Sequence, residues 1–131
     1  VTRLRAAAAR LGRRTGHRGA FLLFLAVLDF CYGYSQWAAP APQRRLDLFL
    51  PWPWWAVAWL ATGAACLAGA LVVRDWWAFT AAALLKAAWA AVMADTWLIQ
   101  GVPRGWVSAV IWACFALTVL VVASWPDPVH G

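Results

Sequence analysis

Four apolar stretches, each about as long as a membrane is thick, constrain this chain more than any other feature. They cover residues 19–38, 54–73, 76–99 and 105–125. Pro40, Pro42, Pro51 and Pro53 fill the first gap, Arg74-Asp75 the second and Gly101 to Gly105 the third, and Pro126 and Pro128 follow the fourth stretch. A hydrocarbon core of roughly 30 Å takes about 20 helical residues to cross. Proline belongs at helix ends, where its missing N–H costs little. Alanine dominates, and no ten-residue alternation of the barrel kind occurs, so strands are not expected.

Composition supports the same reading. Of 131 residues, 65% are hydrophobic and 12% charged, far from the roughly even apolar share and quarter of charges in a soluble domain. A soluble chain of this size could not hide that much apolar surface. All five acidic residues are aspartate. The expected fold class is all-α: a polytopic membrane protein, a four-transmembrane-helix bundle. Residues 1–18 form a basic segment before it, and residues 126–131 a short tail.

The net charge of +6 is concentrated at one end: Arg3, Arg5, Arg10, Arg13, Arg14 and Arg18 precede the first span. Next to a hydrophobic run, such arginines attract anionic headgroups and hold their side of the membrane inside. The expected partner is therefore a lipid bilayer with anionic headgroups, met by Arg3, Arg10, Arg13, Arg14 and Arg18, and not nucleic acid. With the N-terminus inside, these arginines and Arg74 outnumber Arg44, Arg45 and Arg104 on the other side, which predicts an N-in/C-in arrangement. From Thr2 to Arg14, Leu4, Ala7, Ala8 and Leu11 share one helical side, a pattern for a helix in the headgroup region, with a loose basic tail as the alternative. The stretch from Gln43 to Trp55 reads as an interfacial loop. Trp37, Trp52, Trp54, Trp55, Trp76, Trp77, Trp97, Trp106 and Trp125 fall near span ends, as in an aromatic belt, while Trp59, Trp89 and Trp112 lie deeper.

The chemical inventory is thin. His17 and His130 sit at opposite ends, so no site of facing histidines is expected to hold a metal. Cys31, Cys66 and Cys114 are widely separated within spans and read as small buried hydrophobes, with no Cys-x-x-Cys pair. No phosphate loop, nucleophile elbow or zinc-protease motif occurs. No catalytic residue, metal or other cofactor is expected, and nothing proposes an enzyme.

Two ionisable residues lie deep within spans. Asp29 is ten residues into the first and Lys86 ten residues into the third. Those helices run in the same direction, so both groups lie about 15 Å from the same face. Charge at that depth costs several kcal/mol unless paired or hydrated. An Asp29–Lys86 intramembrane ion pair relieves both, either as structural glue or as a step in a proton or ion path. Tyr32, Gly33 and Gln36 continue the Asp29 side of the helix as a polar stripe that must face protein or water. In the second span Ala58, Thr62, Cys66 and Ala70, flanked by Ala65 and Gly69, form a small-residue face that lets backbones approach, within the bundle or against a second copy.

The segments from Arg18 to Ser35 (RGAFLLFLAVLDFCYGYS) and from Pro103 to Asp127 (PRGWVSAVIWACFALTVLVVASWPD) resemble small four-span membrane proteins of actinobacterial phages and prophages. Some proteins of that class are holins, which accumulate in the host membrane and open it. The resemblance implies a multi-pass protein of the bacterial cytoplasmic membrane with a holin-like or membrane-remodelling role. Holins typically carry a charged C-terminal tail, whereas charge here is N-terminal. The alternatives are an accessory subunit binding a larger membrane protein, or a small proton- or cation-coupled transporter using Asp29. The expected protein partner is a second copy of the chain, giving a homo-oligomer, or a larger membrane protein.

Overall fold

The computed structural model describes residues 1–38, 52–72 and 74–126, without the side chains at 7, 10–15, 52 and 53. Four helices make up the fold: α1 (Thr2–Ala38), α2 (Trp52–Leu71), α3 (Trp76–Leu98) and α4 (Gly105–Ala123). No strand occurs among the described residues. Alanine and leucine give these segments high intrinsic helicity, and a helix satisfies its own backbone where water is absent. All four helices are long and apolar enough to cross a membrane. The chain thus has the architecture of a small multi-pass integral membrane protein.

Helix ends fall close to the expected breaks. α2 begins at Trp52 and stops at Leu71, and α4 stops at Ala123, each two residues before the expected point. α1 runs back to Thr2, broken at Gly16 (φ 60°, ψ −164°), a conformation glycine adopts without steric cost. The apolar part of α1 is Gly16–Ala38. α3 stops at Leu98; past it Gly101 is left-handed (φ 66°), and the Val102 N–H donates to the Thr96 carbonyl at 3.0 Å. That bond folds the chain back over the last turn and satisfies one of the carbonyls left open at the helix end. The loop expected from Gln43 lies outside the described residues as far as Pro51, Arg44 and Arg45 with it. Residues 127–131 of the tail also lie outside them.

The helices pack up, down, up, down. Gly33 faces Trp59 and Leu60, Gly63 faces Phe30 and Gly69 faces Leu22, which sets α1 antiparallel to α2. Gly69 also meets Ala78 across the tight α2–α3 turn, and Gly105 meets Trp97 where α3 turns into α4. A Cβ on Gly69 would lie 2.5 Å from that of Ala78, so the close approach there depends on glycine. Two core clusters result. One joins Leu22, Leu25, Cys66, Phe79, Ala82 and Val119; the other joins Trp55, Trp59, Leu85, Trp89 and Val92. α4 is the least enclosed helix, burying only Gly105, Ala116, Val119 and Val122. Val110, Ile111, Leu117, Leu120 and Val121 face outward, as a lipid-facing surface does.

The small-residue face of α2 is rotated from its expected position. Cys66, Gly69 and Ala70 are buried, whereas Ala58, Thr62 and Ala65 are half-buried. The interior stripe is Trp55, Trp59, Gly63, Cys66 and Ala70, because two indoles reach further into the bundle than alanines can. Trp55 thereby leaves the expected belt for the core. Trp37, Trp54, Trp76, Trp97, Trp106 and Trp125 remain exposed near helix ends. Of the cysteines only Cys66 is interior; Cys31 and Cys114 face outward, because their helical phase turns them from the core.

Candidate functional site

Three polar contacts join α1 to α3, and in each the partners are 57 residues apart. A constant offset is what two parallel helices of equal rise produce. Arg18, Asp29 and Tyr32 are eleven and then three residues apart, which returns each to nearly the same side of α1. Together they form a polar seam along the bundle interior.

The middle contact is the Asp29–Lys86 pair. Lys86 Nζ donates to Asp29 Oδ1 at 2.8 Å, and both side chains are wholly buried. The ammonium also lies 5.2 Å from the centre of the Trp59 ring and 5.5 Å from that of Phe115. Aromatic faces carry partial negative charge and attract a cation where water is excluded. Three residues from the three other helices therefore hold one lysine head group, Asp29, Trp59 and Phe115, and Trp112 packs against Trp59. Asp29 Oδ2 is buried with no hydrogen-bond partner among the described residues.

Beyond the pair lies an aromatic cluster. The Trp89 indole donates to the Tyr32 hydroxyl at 3.1 Å. Tyr32 also packs on Trp59 and Trp112, with ring centres 4.5 and 5.2 Å apart. Trp55 and Trp59 stand edge-on to Trp89. Such tilted and edge-to-face contacts add about 0.5–1.5 kcal/mol each beyond burial. The stripe of Tyr32, Gly33 and Gln36 thus faces protein: Gly33 is buried against Trp59, while Tyr32 and Gln36 are half-buried. Gln36 Oε1, Trp55 Nε1 and Trp59 Nε1 are buried without partners among the described residues.

At the other end of the seam, Arg18 is tied into the bundle rather than left to the headgroups. Its Nη2 and Nε donate to the two oxygens of Asp75 at 2.7 and 3.3 Å. Its Nη1 donates to the Ala123 and Trp125 carbonyls at 2.6 and 2.7 Å. The guanidinium also lies 4.9 Å over the Phe79 ring. A carboxylate at the start of α3 and unsatisfied carbonyls at the end of α4 are both negative, so one arginine serves both helix ends. Sequence reasoning missed this contact, although Arg18 and Asp75 share the offset already implied by Asp29 and Lys86. Arg3 is exposed. The side chains of Arg10, Arg13 and Arg14 lie outside the described residues.

Asp95 is half-buried and accepts from Gln100 at 3.4 Å. Among the described residues no three His, Cys, Asp or Glu come together to hold a metal ion. An apolar groove of about 470 Å³ opens between α3 and α4, lined by Thr80, Ala83, Leu84, Ala87 and Leu117 among others. None of its lining residues belongs to the seam. No protein family, curated protein or solved structure matches this chain.

Proposed function

We propose that this chain is a structural or accessory subunit of a bacterial cytoplasmic membrane, a closed bundle that supports a larger membrane partner rather than conducting. The observation that carries the reading is the wholly buried Asp29–Lys86 pair at 2.8 Å. A carboxylate that moves protons or cations must exchange them with water or cargo. Asp29 instead meets a fixed cation of its own chain, and Trp59 and Phe115 wall that cation in. This arrangement counts against the transporter alternative. It suits a helix bundle whose charges specify which helices touch.

A holin-like role is the second reading. The resemblance of the first and last spans favours it, as does the outward surface of α4, which is free to meet lipid or other copies. The N-terminal placement of the arginines weighs against it.

Reconstitution of the full chain in vesicles holding a pH dye and a larger fluorophore separates the readings. The accessory reading expects no proton leak and no fluorophore release at any protein density, and in native membranes a complex heavier than multiples of this chain. A leak abolished by Asp29→Asn would overturn it in favour of transport. Release that rises abruptly with protein density would overturn it in favour of the holin-like role.

A further inference from the structure

The N-terminal arm of α1 lies outside the bundle. Every residue from Val1 to Ala9 whose side chain is described is exposed, Val1 by 86% and Leu4 by 75%. α1 has 37 residues, about 55 Å of helix, which exceeds even a whole bilayer with its headgroups at about 45 Å. The 23 residues from Gly16 to Ala38 already span the core at about 34 Å. The remainder must continue into water or turn along the surface. Gly16, in its non-helical conformation, stands where the direction can change.

A free helix of that length is marginal in water, and its exposed Val1 and Leu4 pack on nothing among the described residues. Its charge is one-sided: no acidic residue precedes Asp29, while Arg3 and Arg5 are exposed within the arm. The structure also divides the basic cluster in two. Arg18 is spent on Asp75 and the end of α4, so it offers nothing to a partner; Arg3 and Arg5 have no such engagement among the described residues.

We infer that residues 1–15 form a surface arm, hinged at Gly16, that lies on anionic lipid. Val1 and Leu4 enter the acyl boundary while Arg3 and Arg5 meet headgroup phosphates. This inference does not depend on the accessory reading, because an arm of this kind serves a closed bundle and a pore equally.

The test uses the full chain with Leu4→Cys carrying an environment-sensitive fluorophore, in a Cys31→Ser, Cys66→Ala, Cys114→Ser background. Helicity by circular dichroism checks that this background folds. The protein is placed in vesicles of phosphatidylcholine, alone or mixed with phosphatidylglycerol. The fluorophore is expected to shift to the blue and to escape aqueous quencher only in the mixed vesicles. Arg3→Gln with Arg5→Gln should lower the ratio of bound to free arm by about fivefold for each arginine, roughly 30-fold for both. Molar salt, which shortens the screening length to about 3 Å, should do the same. In the unaltered chain, trypsin should cut after Arg3 and Arg5 more slowly in the mixed vesicles. Equal signals in both vesicles, no effect of the two substitutions, or a shift induced only by an oligonucleotide or an acidic protein would overturn the inference.

Discussion

Replacing Lys86 with methionine removes the only lysine while keeping most of its volume, so it isolates the charge. At 2.8 Å, and with an effective dielectric of about 20, the attraction to Asp29 is about 6 kcal/mol before desolvation is counted. Desolvation costs several kcal/mol per ion, so the intact pair contributes little net stability. Breaking it is a different matter, because Asp29 then keeps its burial and loses its cation. Its Oδ2 already lacks a hydrogen-bond partner among the described residues, which leaves both oxygens without one. The expected loss is about 3–5 kcal/mol, and Asp29→Asn alone should also destabilise, by leaving the ammonium uncompensated. The double variant Asp29→Asn, Lys86→Met should recover most of that loss, giving a coupling energy of several kcal/mol. Unfolding the purified chain with increasing sodium dodecyl sulfate, followed by circular dichroism, reads all four corners of the cycle. Additive effects of the two substitutions would refute the reasoning, since they would mean that neither charge senses the other.

Three further outcomes follow from the packing. Gly69→Ala forces a methyl against Ala78 and should destabilise by about 1–3 kcal/mol in the same unfolding assay, whereas Ala61→Leu on the exposed side should be neutral. Arg18→Gln should cost about 2 kcal/mol and free the end of α4, seen as faster hydrogen exchange at Ser124 and Trp125. In detergent, where water reaches the outer surface, a maleimide should label Cys31 and Cys114 in the folded protein faster than Cys66, which should react only on unfolding.

The spans and their order are legible because membrane crossing fixes helix length, and proline and charge mark the breaks. The depth of Asp29 and Lys86 is legible for a related reason: rise per residue converts position into height. Rotation about each helix axis is far less so. In a soluble helix an apolar stripe reveals the inward side, but α2 to α4 are apolar all round, so lipid-facing and core positions look alike. That is why Trp55 reads as a belt residue, why Cys31 and Cys114 read as interior, and why the buried stripe of α2 is offset from Ala58, Thr62 and Ala65. The aromatic cluster around Lys86 depends on the same phases. The Arg18–Asp75 contact was within reach, because the offset of the deep pair carries over to the helix ends. What hid it was the expectation that a juxtamembrane arginine belongs to lipid.

The account rests on a bundle interior neutralised by its own side chains, and the single lysine makes that directly measurable. Solid-state magnetic resonance on the full chain in lipid bilayers, labelled with nitrogen-15 at lysine and carbon-13 at aspartate, reads the separation of Lys86 Nζ from the nearest carboxyl carbon. The account predicts about 3.5 Å to one aspartate, lost in Asp29→Asn, with no magnetisation reaching Nζ from water. A lysine without a carboxyl carbon nearby, or one in rapid exchange with water, would contradict it.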